Sequence, residues 1–178
     1  MLQYFISLED ALLLWIQNGM RNEILTPVFV VITTLGNSGF IWIAAAVLLL
    51  LPKKTRRIGI MVLTALAFSY LLNNLLLKNL VTRTRPYEVI PGLTSLIGIQ
   101  KDFSFPSGHT GSSFAAAVVM FRELPKKFGG PALLLAFLIA FSRLYVGVHY
   151  PSDVLCGALI GTGIAILTEC LYRKYAIR

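Results

Sequence analysis

Three short clusters hold most of the side chains able to do chemistry. They are Lys78-Asn79-Leu80-Val81-Thr82-Arg83-Thr84-Arg85-Pro86, then Pro106-Ser107-Gly108-His109, and finally the run from Ser142-Arg143 to His149-Tyr150-Pro151-Ser152-Asp153. Besides Arg83, they supply three cations (Lys78, Arg85 and Arg143), two imidazoles (His109 and His149) and the carboxylate of Asp153. A phosphoryl group suits this set, because its transition state spreads negative charge over equatorial oxygens and needs positioning plus cationic stabilisation. Arg is suited to bidentate contact with phosphate oxygens. Pro106-Ser107-Gly108 precedes an expected helix start, where free N–H groups and the helix dipole favour an anion. Gly108 permits close backbone approach, and Ser107 offers a hydroxyl donor. Two histidines fit a two-step displacement. Asp153, four residues after His149, is spaced to accept a bond from the second ring nitrogen and so fix the tautomer.

Plainer readings exist for each residue alone. A single Arg or Lys at a helix end snorkels to lipid headgroups. His109 could cap a helix, and Asp153 could be an ordinary acid at a helix N-terminus. His109, His149 and Asp153 also form a three-ligand set of the catalytic zinc type, but the neighbouring cations would repel a dication, so the expectation is no metal and no cofactor. Arg83 falls outside the fixed spacing and reads as a headgroup contact or a solvated charge.

The three clusters resemble the signature motifs of the type 2 phosphatidic acid phosphatase family, K-x6-R-P, P-S-G-H and S-R-x5-H-x3-D, in residue identity, internal spacing and order. The resemblance spans Lys78 to Asp153. It implies a metal-independent membrane phosphatase acting on a lipid phosphate or diphosphate such as phosphatidate, phosphatidylglycerophosphate or undecaprenyl diphosphate. His149 would be the nucleophile that becomes phosphohistidine, His109 the general acid and then base, Asp153 the orienting carboxylate, and Lys78, Arg85, Arg143, Ser107 and Gly108 the phosphate-binding set. A lipid phosphotransferase would share the intermediate, and a non-catalytic lipid-binding or transport protein is the alternative from another class.

The elements that must position these residues are membrane helices. The chain has 178 residues, is 56% hydrophobic and 13% charged, and has a mean hydropathy of +0.74, well above an ordinary soluble domain. The net charge of +8 does not imply nucleic acid, because the basic residues cluster at the ends of apolar runs. Five spans are expected, over Ser38–Leu51, Ile58–Val81, His109–Phe121, Pro131–Val148 and Asp153–Leu171. Ile24–Leu35 is expected to form the core of a sixth, starting near Arg21. The fold class is thus an all-α polytopic transmembrane bundle, one domain over 1–178, with residues 1–20 as an interfacial helix and 21–178 as the bundle.

Counting Lys and Arg puts Lys53–Arg57, Arg122–Lys127 and Arg173–Arg178 on one side, the cytoplasm, with the C-terminus. The three chemical clusters fall on the opposite, extracytoplasmic face, and the compact size resembles that of bacterial members of the family, which implies the cell membrane of a bacterium. The expected partners are a lipid phosphate substrate and membrane lipids. Cys156 and Cys170, about 21 Å apart if on one helix, are too far apart for a disulfide. Gly157-x-x-x-Gly161 is read as a helix packing surface. The loop Tyr87–Phe105, with Leu93, Leu96, Ile97 and Ile99, is read as a lid whose apolar side chains touch lipid or substrate tail.

Overall fold

The computed structural model describes residues 2–175, with side chains from residue 6, so Arg178 of the C-terminal basic cluster lies outside the described residues. Every regular element among the described residues is helical. Helix α1 covers Leu2–Met20 and α2 Leu25–Leu35. A 3-10 turn over Asn37–Gly39 leads into α3, Phe40–Leu50. Helix α4, Arg56–Ser69, runs on through a π-helical stretch, Tyr70–Leu77, into the single turn α5, Lys78–Val81. After the short α6, Pro86–Val89, come α7, Gly108–Glu123, α8, Lys126–Tyr145, and α9, Pro151–Tyr175.

Helix α7 is the axis of the bundle, with α4, α8 and α9 packed around it. Its residues Ala115, Ala116, Ala117 and Val119 have no exposed surface. Small side chains make this possible: a Cβ at Gly161 of α9 would sit 2.3 Å from the Gly111 carbonyl, and one at Gly157 would sit 2.7 Å from that of Ser107. The packing role expected of Gly157 and Gly161 is therefore what the structure shows. Large apolar side chains such as Leu48, Leu75, Leu134, Phe137, Leu155 and Leu159 instead point outward, as lipid-facing positions do.

Among the described residues, three stretches are long and apolar enough to span a bilayer, Arg56–Val89, Lys126–Tyr145 and Pro151–Tyr175. A fourth arises if α2 and Asn37–Leu50, bent by 51° at Gly36, form one broken span. The six spans expected from sequence are not reached by this measure. Helix α7 has only 16 residues and carries Gly, Ser and Thr, because its neighbours are other helices rather than lipid. Pro131 does not open its helix as expected but lies inside α8. The basic clusters do gather at one end: Arg57 stacks over Tyr172 at 5.0 Å, Arg122 pairs with Glu169, and Arg173 pairs with Glu123 at 3.2 Å.

The loop after α6 departs from its expected lid role. Leu96 and Ile97 pack with Ile16, Tyr145, Val146 and Val148, and Leu93 is buried with Leu13, Ile90 and Tyr150. The Leu96 N–H also donates to the Val146 carbonyl at 3.0 Å. Apolar content in this loop reflects a second small core shared with α1, and only Ile99 and Phe103 present large apolar surface outward. Helix α1 is amphipathic as expected, with Leu13 and Ile16 buried and Leu8, Leu12 and Trp15 exposed. Its polar Gln17 is not solvated but accepts from the Thr94 N–H at 2.9 Å.

Candidate active site

The π-helical stretch Tyr70–Leu77 widens the end of α4 and delivers Lys78 to the cavity wall; such irregular turns are frequent at functional sites. Asn73 and Asn74, on the widened turns, press against the start of α7. A Cβ at Gly108 would meet the Asn74 side-chain oxygen at 2.8 Å, so the close approach that Gly108 allows is to this helix. Ser107 is the N-cap of α7: its hydroxyl accepts from the Thr110 N–H at 3.4 Å and from the Thr110 hydroxyl at 2.9 Å. It is fully buried and does not line the cavity.

Lys78, Arg85, Gly108, His109, Arg143 and His149 converge on a cavity of about 550 Å³. From this polar floor the cavity runs between α3 and α4 along Ile43, Leu63, Leu66 and Ala67, so a charged head and an apolar tail could share it. Arg143 is buried; its Nη1 donates to the Thr33 hydroxyl at 2.5 Å, while Nε has no protein partner among the described residues. Arg85 is equally buried, donating from Nε to the Asp102 carbonyl and from Nη1 to the Val148 carbonyl, each at 2.8 Å. Asp102 pairs with both Lys78 and Arg85. Burial raises the Asp102 pKa, but the two cations outweigh it and hold the carboxyl down to about 2.

His149 sits in the turn between α8 and α9 with its two nitrogens in different surroundings. Nε2 lies 3.5 Å from Arg85 Nη1, and Nδ1 lies 3.5 Å from Asp153 Oδ2. The buried Oδ2 also accepts from the Ser104 hydroxyl at 2.5 Å and from the Tyr150 N–H at 2.9 Å. Burial pushes the His149 pKa down to about 3; Arg143 and Arg85 push the same way, and the bond to Asp153 opposes them. The ring is therefore a neutral imidazole at neutral pH. His109, across the cavity, is held by Asn37, 2.9 Å from Nε2. Asp153 lies behind His149 rather than on the cavity wall, and among the described residues no three His, Cys, Asp or Glu side chains are grouped as metal ligands.

Sequence reasoning missed several contributors. Arg83 is not a solvated charge: it donates to Asp153 Oδ1 at 2.7 Å and to Glu9 at 2.8 Å, with its guanidinium 3.7 Å over the Tyr150 ring. Asp102, Ser104, Thr33 and Asn37 also lay outside the three clusters. A partial signal lies in the sequence itself, since Gly36-Asn37-Ser38-Gly39 has the composition of a turn and Arg83 is a third basic residue in its cluster.

The chain is thus an all-helical membrane bundle with outward apolar surface and a cationic pocket beside paired imidazoles. The chain belongs to the PAP2 superfamily, whose family model matches residues 58–176. It is 33% identical over 129 residues to an undecaprenyl-diphosphatase of Sulfolobus acidocaldarius, a match covering 72% of this chain and 62% of that protein. The chain thus spans less than two thirds of that relative. The fold is similar to that of a PAP2-type phosphatidylglycerolphosphate phosphatase of Bacillus subtilis, with a TM-score of 0.80 and 28% identity over 97% of this chain and 88% of that one. It is also similar to LpxE of Aquifex aeolicus, with a TM-score of 0.72 and 26% identity over 92% of this chain and 93% of that one.

Proposed function

We propose that this protein hydrolyses the phosphate of a lipid phosphomonoester or diphosphate through a phosphohistidine on His149. The observation that carries the reading is the His149 ring, whose Nδ1 faces Asp153 while Nε2 faces Arg85 in the cationic cavity. The Nε2 lone pair attacks phosphorus, the bond to the leaving oxygen breaks, and protonated His109 gives that oxygen its proton. Asp153 stabilises the phosphoimidazolium. His109, now neutral, takes a proton from water, whose oxygen attacks phosphorus and breaks the P–N bond, releasing phosphate and restoring His149. Lys78, Arg85 and Arg143 balance the charge on the equatorial oxygens. Gly108 and the cap Ser107 set the start of α7, where N–H groups face the anion.

The lipid nature of the substrate is supported by the slot lined by Ile43, Leu63 and Leu66 and by the names of the relatives. An isoprenoid diphosphate or a glycerolipid phosphate fits both. Residues 1–178 act as one unit in the cell membrane, with α1 on the membrane surface and 21–178 as the bundle. The gathering of Arg57, Arg122 and Arg173 at one end supports a cytoplasmic C-terminus and a site opening on the extracytoplasmic face. Purified protein in detergent with excess chelator should release inorganic phosphate from a panel of prenyl and glycerolipid phosphates, without added acceptor. No release from any of them, or release that requires an added metal or an acceptor alcohol, would overturn this reading.

A further inference from the structure

Helix α1 lies outside the stretch that matches the family, residues 58–176. Yet it sends one carboxylate into the neighbourhood of the site. Glu9 Oε1 accepts from the Ser152 N–H at 2.7 Å, and Oε2 accepts from Arg83 Nη2 at 2.8 Å. Arg83 Nη1 then donates to both the Ser152 hydroxyl and Asp153 Oδ1, each at 2.7 Å. We infer that Arg83, anchored by Glu9 of α1, is a positioning residue for the His149–Asp153 pair, so that α1 is part of the catalytic apparatus rather than a membrane support alone. The inference rests on the phosphohistidine reading above.

The division of labour on Asp153 carries the argument. Oδ2 takes the Ser104 hydroxyl, the Tyr150 N–H and the long contact to His149 Nδ1, while Arg83 takes Oδ1. A carboxylate bonded on both oxygens cannot rotate, and that fixes the direction from which it meets the imidazole. Stacking on the Tyr150 ring at 3.7 Å fixes the guanidinium in turn. The same bonds divide charge. Arg83 lies between two carboxylates, so its positive charge is shared, and the share on Asp153 limits how strongly Asp153 holds a proton on His149. The other charged or titratable groups around the pair are Asp10 on α1, Lys78 and Arg85 at the end of α4 and beyond, Asp102 in the following loop, His109 on α7, Arg143 on α8, Tyr150 before α9 and Cys156 on α9.

Two substitutions should therefore act with opposite sign. Arg83→Gln removes positive charge beside Asp153 and raises the pKa of His149, moving the acid limb of kcat/KM to higher pH. Glu9→Gln keeps an acceptor for Ser152 but removes negative charge, leaving more of Arg83 on Asp153 and moving the limb to lower pH. Arg83→Gln should also lower kcat by about tenfold or more with KM within about threefold, and Arg83→Lys should recover much of the loss. Damage to a scaffold lowers activity without moving the limb in two directions. An acid limb left in place by both variants, or moved the same way by both, overturns the inference. Should Arg83→Gln fail to fold, the near-isosteric Glu9→Gln decides alone: a downward limb supports the inference and an unmoved or upward limb overturns it. The phosphohistidine reading is checked separately, by alkaline quench of wild-type protein with radiolabelled lipid phosphate; no base-stable label on His149 would defeat that reading itself.

Discussion

Asp102 binds Arg85 twice, through a carboxylate oxygen 2.5 Å from Nη2 and through its own backbone carbonyl 2.8 Å from Nε. Its other oxygen pairs with Lys78, so one half-exposed carboxylate is the shared counter-charge of two of the three cations. A phosphate entering the cavity must share or displace this carboxylate. Asp102→Asn should therefore lower the inhibition constant for vanadate, a phosphoryl transition-state mimic, by roughly threefold to tenfold. It should also lower the thermal midpoint of the free protein, because Lys78 and Arg85 lose their counter-charge, and phosphate should then raise that midpoint more than in the wild type. Unchanged vanadate inhibition would show that Asp102 stays in place when the anion binds.

His149→Ala should abolish turnover by several orders of magnitude, as loss of a nucleophile does, while Asp153→Asn should cost less. Steady-state phosphate release from a lipid phosphate measures both. Near-normal release by His149→Ala would rule out the phosphohistidine route.

Acid should unfold the protein over a window fixed by two groups. The folded pKa of Asp102, about 2, lies below its ordinary 3.8, so the stability it contributes is full above 3.8 and is lost as pH falls through 2. His149 has a folded pKa of about 3 against an ordinary 6.5, so protons favour the unfolded chain between those values and stability falls as pH drops. Both effects have the same sign. Thermal unfolding in detergent between pH 7 and 3 should show a steady decline, and His149→Gln should flatten its upper part, from 6.5 downward.

Ser104 is fully buried and donates to Asp153 Oδ2 at 2.5 Å, with His149 Nδ1 3.5 Å away. Ser104→Ala should lower kcat by roughly tenfold with little change in KM, since the group orients the pair without touching substrate. A rise in KM with kcat intact would move Ser104 to the binding surface.

Two glycines on one helix should respond differently to Ala. At Gly161 the new methyl would lie 2.3 Å from the Gly111 carbonyl, whereas at Gly163 nothing lies within 4 Å. Gly161→Ala should destabilise by about 1–3 kcal/mol as α7 and α9 are forced apart. Gly163→Ala should be neutral or slightly stabilising, because Ala is the better helix former. Thermal midpoints of the two proteins, measured side by side, make the comparison.

Topology is checked with single cysteines in a chain whose Cys156 and Cys170 are replaced by Ala. A cysteine at the exposed Pro91 should react with a membrane-impermeant thiol reagent in intact cells, and one at the exposed Lys54 should not. The reverse pattern would place the site on the cytoplasmic face.

The six groups that line or back the cavity, Lys78, Arg85, His109, Arg143, His149 and Asp153, were legible because their spacing in sequence is rigid. The structure brings them together on the expected helix ends. The small-residue surface of α9 was legible for the same reason. Partners chosen by tertiary packing were not: Thr33 reaches Arg143 across 110 positions and Asn37 reaches His109 across 72, and no local periodicity marks such pairs. Loop content misled in one place. Leu96 and Ile97 looked like lipid-facing side chains because the sequence does not show that Ile16 and Tyr145 cover them. Span counting faltered where a helix is surrounded by protein, since α7 needs small residues more than hydrophobic ones.

The bond from Ser152 to Glu9 closes a loop of 143 residues, and its consequence reaches into biosynthesis. As the chain enters the membrane from its N-terminus, Glu9 and Arg83 are made long before Ser152 and Asp153 exist. His149 likewise emerges before Asp153 at the start of α9 can back it. Until then Glu9 and Arg83 have only each other, and polar groups short of partners are costly in hydrocarbon, so the half-made chain should hold this region at the wet interface until α9 inserts. Tight closure of this region therefore waits for the last helix, and a chain stalled before residue 151 should be more open to proteases than the finished one.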